Sequence, residues 1–150
     1  MPKISAEEFW QFSIKHYDND AVKNACLSLQ DSAGADVNLL LLAIWLRTLS
    51  ITISGETLAN LFSTSTHWQT EKIVPLREKR CSQPRQSDGY TKLLALELDA
   101  EKGEQRALIQ CLKSAATGNS AKIDFWDAYT EQLGVSDTHR GALLGPLADK

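Results

Sequence analysis

Asp36-Val37-Asn38-Leu39-Leu40-Leu41-Leu42-Ala43-Ile44-Trp45-Leu46-Arg47 is the stretch on which the reading of this chain turns. From Val37 to about Leu49 the sequence is apolar nearly all round, the pattern of a helix enclosed by other helices. Its most apolar run, Leu39 to Leu46, is far shorter than the roughly 20 residues a membrane-spanning helix requires. The stretch is therefore a core helix. Asp36 is a good N-cap for it, and Arg47 suits the negative end of its dipole. Asn38 is the awkward residue, an amide set against an apolar run.

On the N-terminal side, Ser32-Ala33-Gly34-Ala35 reads as a turn, preceded by a helix with Val22, Ala25, Cys26 and Leu29 on its apolar face. Asp18-Asn19-Asp20 separates that helix from a first one. Ser5 and Glu8 form a capping box, and Phe9, Trp10, Ser13, Ile14 and Tyr17 recur at helical spacing. On the C-terminal side, Ile51-Thr52-Ile53 alternates like a strand but has no partner strand in the sequence. Ser54-Gly55-Glu56 opens a short helix with Leu58, Leu61 and Phe62. Ser63-Thr64-Ser65-Thr66 is expected to break it and cap another through Trp68, Ile73 and Leu76 to about Arg80. Pro75 predicts a kink or break near residue 74. Residues 82–89, with Pro84 and Gly89, read as a mobile polar loop.

The longest helix is expected from about Tyr90 to Ser114, with a stripe of Leu94, Leu98, Glu101, Gln105, Leu108 and Leu112. Gly103 costs it about 1 kcal/mol relative to alanine, which opens the option of two shorter helices. Gly118-Asn119-Ser120 is a turn. Phe125, Trp126, Tyr129 and Leu133 lie on a helix stopped by Gly134, and Ser136 caps a last helix ended by Gly145-Pro146. The sum is an all-α, single-domain bundle of seven or eight helices over residues 1–150, built around the helix at 37–49.

With 150 residues, 43% of them hydrophobic and 23% charged, the chain can bury a real core and is neither disordered nor fibrous. A net charge of −3 gives no global attraction to nucleic acid or anionic membranes. Three widely spaced cysteines without a C-x-x-C make neither a disulfide framework nor a zinc knuckle. No signal-peptide pattern opens the sequence, so a reducing cytoplasm is expected.

Three stretches together carry a resemblance. They are Phe9-Trp10-x-Phe12-Ser13 with Tyr17; Ala25-Cys26-Leu27-x-Leu29-Gln30-Asp31 leading to Gly34-x-Asp36-Val37-Asn38-Leu39-Leu40-Leu41; and Trp68 with Pro75-Leu76-Arg77-x-x-Arg80, followed by Glu97-Leu98-x-x-Glu101. The chain to about residue 113 resembles a proteobacterial family of helical proteins of about this length, defined only as a domain of unknown function. The resemblance implies a bacterial, cytoplasmic, helical protein and brings no activity, cofactor or catalytic residue.

Four constellations remain to be weighed from the residues. Gln30, Asp31, Asp36 and Asn38 bracket the turn before the buried helix, where they either hold a cation or polar ligand or act as caps and turn-formers; capping is the more common use. Glu97, Glu101, Glu104 and Gln105 follow on the long helix, and at least one of Glu101 and Gln105 should point inward. No histidine stands three residues from these glutamates, so the di-iron pattern is absent, and an inward Glu101 paired with Arg77 or Arg80 is expected instead.

Six bases against two acids from Lys72 to Lys92 make a basic patch. There Trp68, Arg77, Arg80 and Arg85 are candidates for binding an anion or a protein partner. The aromatic interleaving of a single-strand binder is missing, which disfavours nucleic acid. The four tryptophans fall in apolar stripes and read as core, with Trp68 nearest a surface.

There is no phosphate loop and no nucleophile elbow, and the aspartate pairs of an isoprenoid synthase do not fall on one face. No complete catalytic set is present, and no cofactor is predicted. The leading expectation is a non-enzymatic module that binds a protein partner or itself, with no membrane association. The alternative is a small-ligand or divalent-metal site built from Gln30, Asp31, Asp36, Asn38, Glu97 and Glu101.

Overall fold

The computed structural model describes residues 4–115 and 122–148; the turn expected at Gly118-Asn119-Ser120 lies outside the described residues. Helix α1 (Ala6–Tyr17) begins where the Ser5 hydroxyl accepts the Glu8 N–H at 3.1 Å. Helix α2 (Asp20–Ala33) is capped by the Asn19 side chain and closed by Gly34 in the left-handed conformation, φ 66°. A Cβ at that φ would be strained, so glycine ends this helix at low cost. Helix α3 (Val37–Thr48) is capped by Asp36, and every side chain from Asn38 to Leu46 is buried. A fully buried leucine stabilises by about 1.5–3 kcal/mol. Leu40, Leu42 and Leu46, together with Ile44, therefore make α3 the anchor of the fold.

After α3 the chain forms α4 (Gly55–Trp68), a π-helical turn (Gln69–Ile73), α5 (Val74–Cys81), α6 (Asp88–Lys113), α7 (Phe125–Leu133) and α8 (Asp137–Ala148). The protein is all-α. Helix α6 packs along α4, the π turn and α5, and also reaches α1; α7 packs on α3, and α8 on α2. One hydrophobic cluster joins Phe9, α3, Leu61, Leu108, Phe125, Trp126 and Leu143. The Phe9 and Trp45 rings stack at 5.3 Å across α1 and α3.

Several local expectations are corrected by these contacts. Ser63-Thr64-Ser65-Thr66 does not break α4: the Ser65 hydroxyl donates to Asp36 and Thr64 meets the Cys111 sulfur, so these hydroxyls serve tertiary partners and not a cap. Pro75 marks, near the expected residue 74, the change from the π turn ending at Ile73 to α5 beginning at Val74, with the helical path continuous through it. It falls in the first turn of α5, and the π turn before it accommodates the lost N–H bond. Ile53, expected to lack a partner, makes an isolated antiparallel bridge with Ile123, too short to be a sheet.

Helix α6 is one helix of 26 residues despite Gly103. Leu94 and Leu98 are about half exposed, and Glu97 and Glu104 are buried in their place. Helix α8 runs past Gly145-Pro146, because a proline in the last turn forfeits a single hydrogen bond. Trp45 and Trp126 are core residues, whereas Trp10 and Trp68 are only partly buried.

Candidate functional site

A cavity of about 460 Å³ opens where α1, α2 and the start of α3 face the π turn, α5 and α6. Its lining is divided. Trp10, Ile14, Leu27 and Leu98 form an apolar part, with Ile14, Leu27 and Leu98 also reaching solvent. Tyr17, Gln30, Asp36, Asn38, Gln69, Arg77, Arg80, Glu97, Glu101 and Gln105 form the polar part.

The polar floor is built from the N-terminus of α3. Asp36 accepts the Asn38 N–H at 2.9 Å and the Ser65 hydroxyl at 2.6 Å, and its own N–H donates to the Tyr129 hydroxyl at 2.9 Å. The Asn38 side-chain amide donates to the Glu101 carbonyl at 3.1 Å and to Glu104 Oε1 at 2.8 Å. That fixes its orientation and turns Asn38 Oδ1 towards Gln105, whose amide donates to it and to the Ser13 hydroxyl at 3.0 Å each. Gln69, in the π turn, donates a further bond to Glu104 Oε1. Buried groups from α1, α3, α4, α6, α7 and the π turn thus share one network, the arrangement that specifies a single packing.

Glu104 Oε2 is buried and has no donor facing it. Two carboxylates have no proton to share until one is protonated. Burial first, and then the adjacent Asp36 carboxylate, push the Glu104 carboxyl up to about 10, against the Asn38 and Gln69 donors. Burial and the neighbouring Asp36 carboxylate thus favour the protonated form of Glu104, and the two carboxyls titrate as a pair.

One wall of the cavity is an ion-pair cluster. Glu97, 4% exposed, accepts from Arg77 Nε at 3.0 Å and from Arg80 Nε at 2.5 Å, and Arg80 Nη1 also reaches the Tyr90 hydroxyl at 3.0 Å. The hydrogen bond from Arg80 to Glu97 is the main reason that the arginine holds its proton still more firmly than usual. Glu97 is thus the buried partner of both arginines, and the expected pairing of Glu101 with Arg77 is present only as a longer ion pair. Glu101 lies 3.8 Å from Arg77 Nη2, beyond hydrogen-bond length, and its side chain is one-third exposed. Burial in the cavity wall and the charge of Glu97 push the Glu101 carboxyl up to about 7, only partly offset by Arg77. Tyr17 opposite is pushed up to about 12, mainly by burial.

Of the residues singled out by sequence, Gln30, Asp36, Asn38, Arg77, Arg80, Glu97 and Glu101 meet at this cavity. Asp31 does not; it stands exposed on α2. Arg85 stands exposed in the loop joining α5 and α6, and Trp68 packs its ring over Gly103 beside Lys72. Sequence reasoning missed Ser13, Tyr17, Ser65, Gln69 and Tyr129. The available signal was that Ser13 and Tyr17 interrupt and extend the aromatic face of α1; nothing local marked the others. Among the described residues, no three of His, Cys, Asp or Glu converge so as to hold a metal ion. None of their helices is long and apolar enough to cross a membrane.

Fold and site together define an all-α bundle with a buried polar network beneath an open, partly apolar cavity. The chain belongs to the family described as protein of unknown function DUF2390, whose model matches residues 8–108. That span holds all the polar residues lining the cavity and leaves out α7 and α8. No curated protein and no solved structure matches the chain.

Proposed function

We propose that this protein binds a small organic molecule in the cavity between α1, α2, α5 and α6. The observation that carries this reading is the cavity itself. At about 460 Å³ it falls within the range of roughly 300–1,000 Å³ usual for small-molecule sites, with an apolar mouth and convergent polar groups. Glu101 is the lining group best placed to exchange a proton with a bound molecule, since it lies in the wall, is partly open and titrates near neutrality. Buried Cys26 is not such a group, because burial pushes its thiol up to about 12. Three free cysteines support a reducing compartment such as the cytoplasm.

Native mass spectrometry of the intact protein, beside a Leu27→Trp variant that plugs the cavity mouth, tests the reading. Adducts or screened compounds should bind the wild type and be lost from the variant. Binding that survives Leu27→Trp, or a protein that takes no small molecule, would overturn it.

A protein partner is the second reading, favoured by Leu94, Leu96 and Leu98, each about half exposed on α6. It expects partner capture that is lost on Leu94→Asp and kept on Leu27→Trp. The basic patch offers this reading less support, because Arg77 and Arg80 are turned inward onto Glu97.

A further inference from the structure

We propose that the ligand of this cavity is an organic ammonium: an amphipathic amine whose head group pairs with the Glu101 carboxylate while its apolar tail lies along Ile14, Leu27 and Leu98. This inference rests on the small-molecule reading of the cavity and names the chemistry that reading leaves open.

The amide and arginine donors nearest the buried network are committed, whereas Tyr17, Gln30 and the terminal nitrogens of Arg77 keep donors open to the cavity. The Asn38 amide is held by the Glu101 carbonyl and Glu104, the Gln105 amide by Ser13 and Asn38, and the Gln69 amide by Glu104. The arginine Nε donors and one terminal nitrogen of Arg80 are taken up by Glu97.

Acceptors are left over. The Glu101 carboxylate has only the 3.8 Å approach of Arg77, and Gln105 Oε1, on the same face one turn further along α6, is buried with no donor at all. Because Asn38 fixes the Gln105 orientation, rotating that amide merely exchanges one unmet group for another. A ligand that satisfies the Glu101 carboxylate has to donate hydrogen bonds.

Charge selects among donors. With Glu101 ionised, the guanidinium groups of Arg77 and Arg80 face the three carboxylates of Asp36, Glu97 and Glu101, so the lining carries one excess negative charge. An anion reaching the uncommitted terminal nitrogens of Arg77 would stand beside the Glu97 and Glu101 carboxylates, in a lining that already carries excess negative charge. A bare metal ion finds no set of three ligands among the described residues. A compact ammonium supplies three donors and one positive charge, and its alkyl chain accounts for apolar side chains held half open to solvent at the mouth.

The test is titration of the intact protein with octylamine, octanoate and octanol, followed by tryptophan fluorescence, since Trp10 lines the cavity. It is run at about pH 8, above the Glu101 midpoint. Octylamine should bind most tightly, and Glu101→Gln should weaken it by about tenfold or more while leaving octanol unchanged. Glu101 is partly exposed, so this variant should fold; circular dichroism checks that it does.

Octanoate or octanol binding as well as octylamine would overturn the ammonium assignment and leave the cavity reading standing. So would an octylamine affinity that Glu101→Gln does not change. A protein that binds none of the three overturns both.

Discussion

Asn38 is the residue on which the buried network depends, because it is the member that both gives and receives. Its amide satisfies the Glu101 carbonyl and Glu104, and its carbonyl takes the Gln105 amide. Truncation takes one bond from each of the three, leaving Glu104 the Gln69 donor and the Gln105 amide only Ser13, and each unmet buried polar group costs about 1–3 kcal/mol. Asn38→Ala should therefore destabilise by roughly 2–4 kcal/mol in a denaturant melt; a loss below about 1 kcal/mol would show that the network has slack. The two glutamates of the wall should separate just as clearly. Glu97→Ala leaves two largely buried guanidinium groups without their carboxylate and should cost roughly 3 kcal/mol. Glu101→Ala removes a part-exposed group and should cost less than about 1 kcal/mol. Equal losses for the two would refute the assignment of Glu97 as the shared partner.

At the scale of elements, the cavity depends on one continuous rod, α4 through the π turn into α5. A straight α-helix would carry the Gln69 and Arg77 side chains round by the angle of one extra residue. The widened turn, the kind of irregularity often found at functional sites, brings Gln69 onto Glu104 while Arg77 and Arg80 reach Glu97. The rod lies close to α6 because Gly103 admits the Trp68 ring: a Cβ there would stand 2.7 Å from the ring edge. Gly103→Ala should therefore lower stability by about 1–3 kcal/mol, although alanine is the better helix former by about 1 kcal/mol. Trp68→Leu should rescue the variant if the close approach is the cause; an unchanged double variant would place the cost elsewhere. A glycine that reads as a weak point of a long helix is instead the point of contact between two elements.

For the whole molecule, the raised carboxyls set how stability depends on pH. Well below their ordinary value of 4.5, Glu101 and Glu104 are protonated in both the folded and unfolded chain. As pH rises the unfolded chain releases these protons first. The folded state then holds more protons than the unfolded one, and stability falls with rising pH. The decline runs to about 7 for Glu101 and to about 10 for Glu104. Glu104→Gln keeps an acceptor for Asn38 and Gln69 and offers Asp36 an N–H, without a proton to lose. Between about pH 5 and 8 the melting temperature of the variant should fall less than that of the wild type, by several degrees, since 1 kcal/mol is worth about 2–4 °C at this size. Parallel pH profiles for the two proteins would rule out a buried, protonated Glu104.

The all-α class, the central helix and most caps follow from the sequence alone, because periodicity, capping residues and the length of an apolar run act over a few neighbouring residues. Asp36 as a cap and the coarse set of polar residues around the cavity were legible for the same reason: polar groups beside a fully apolar helix stand out. Which carboxylate takes the arginines was not legible. Glu97 and Glu101 share a face, and the choice depends on how α5 crosses α6. Nor could the sequence show that Ser65 and Tyr129, 29 and 93 residues beyond Asp36, converge on it. Hydrogen bonds between distant segments carry no local signal, and only the packing of α4, α6 and α7 around α3 decides which of these groups meet.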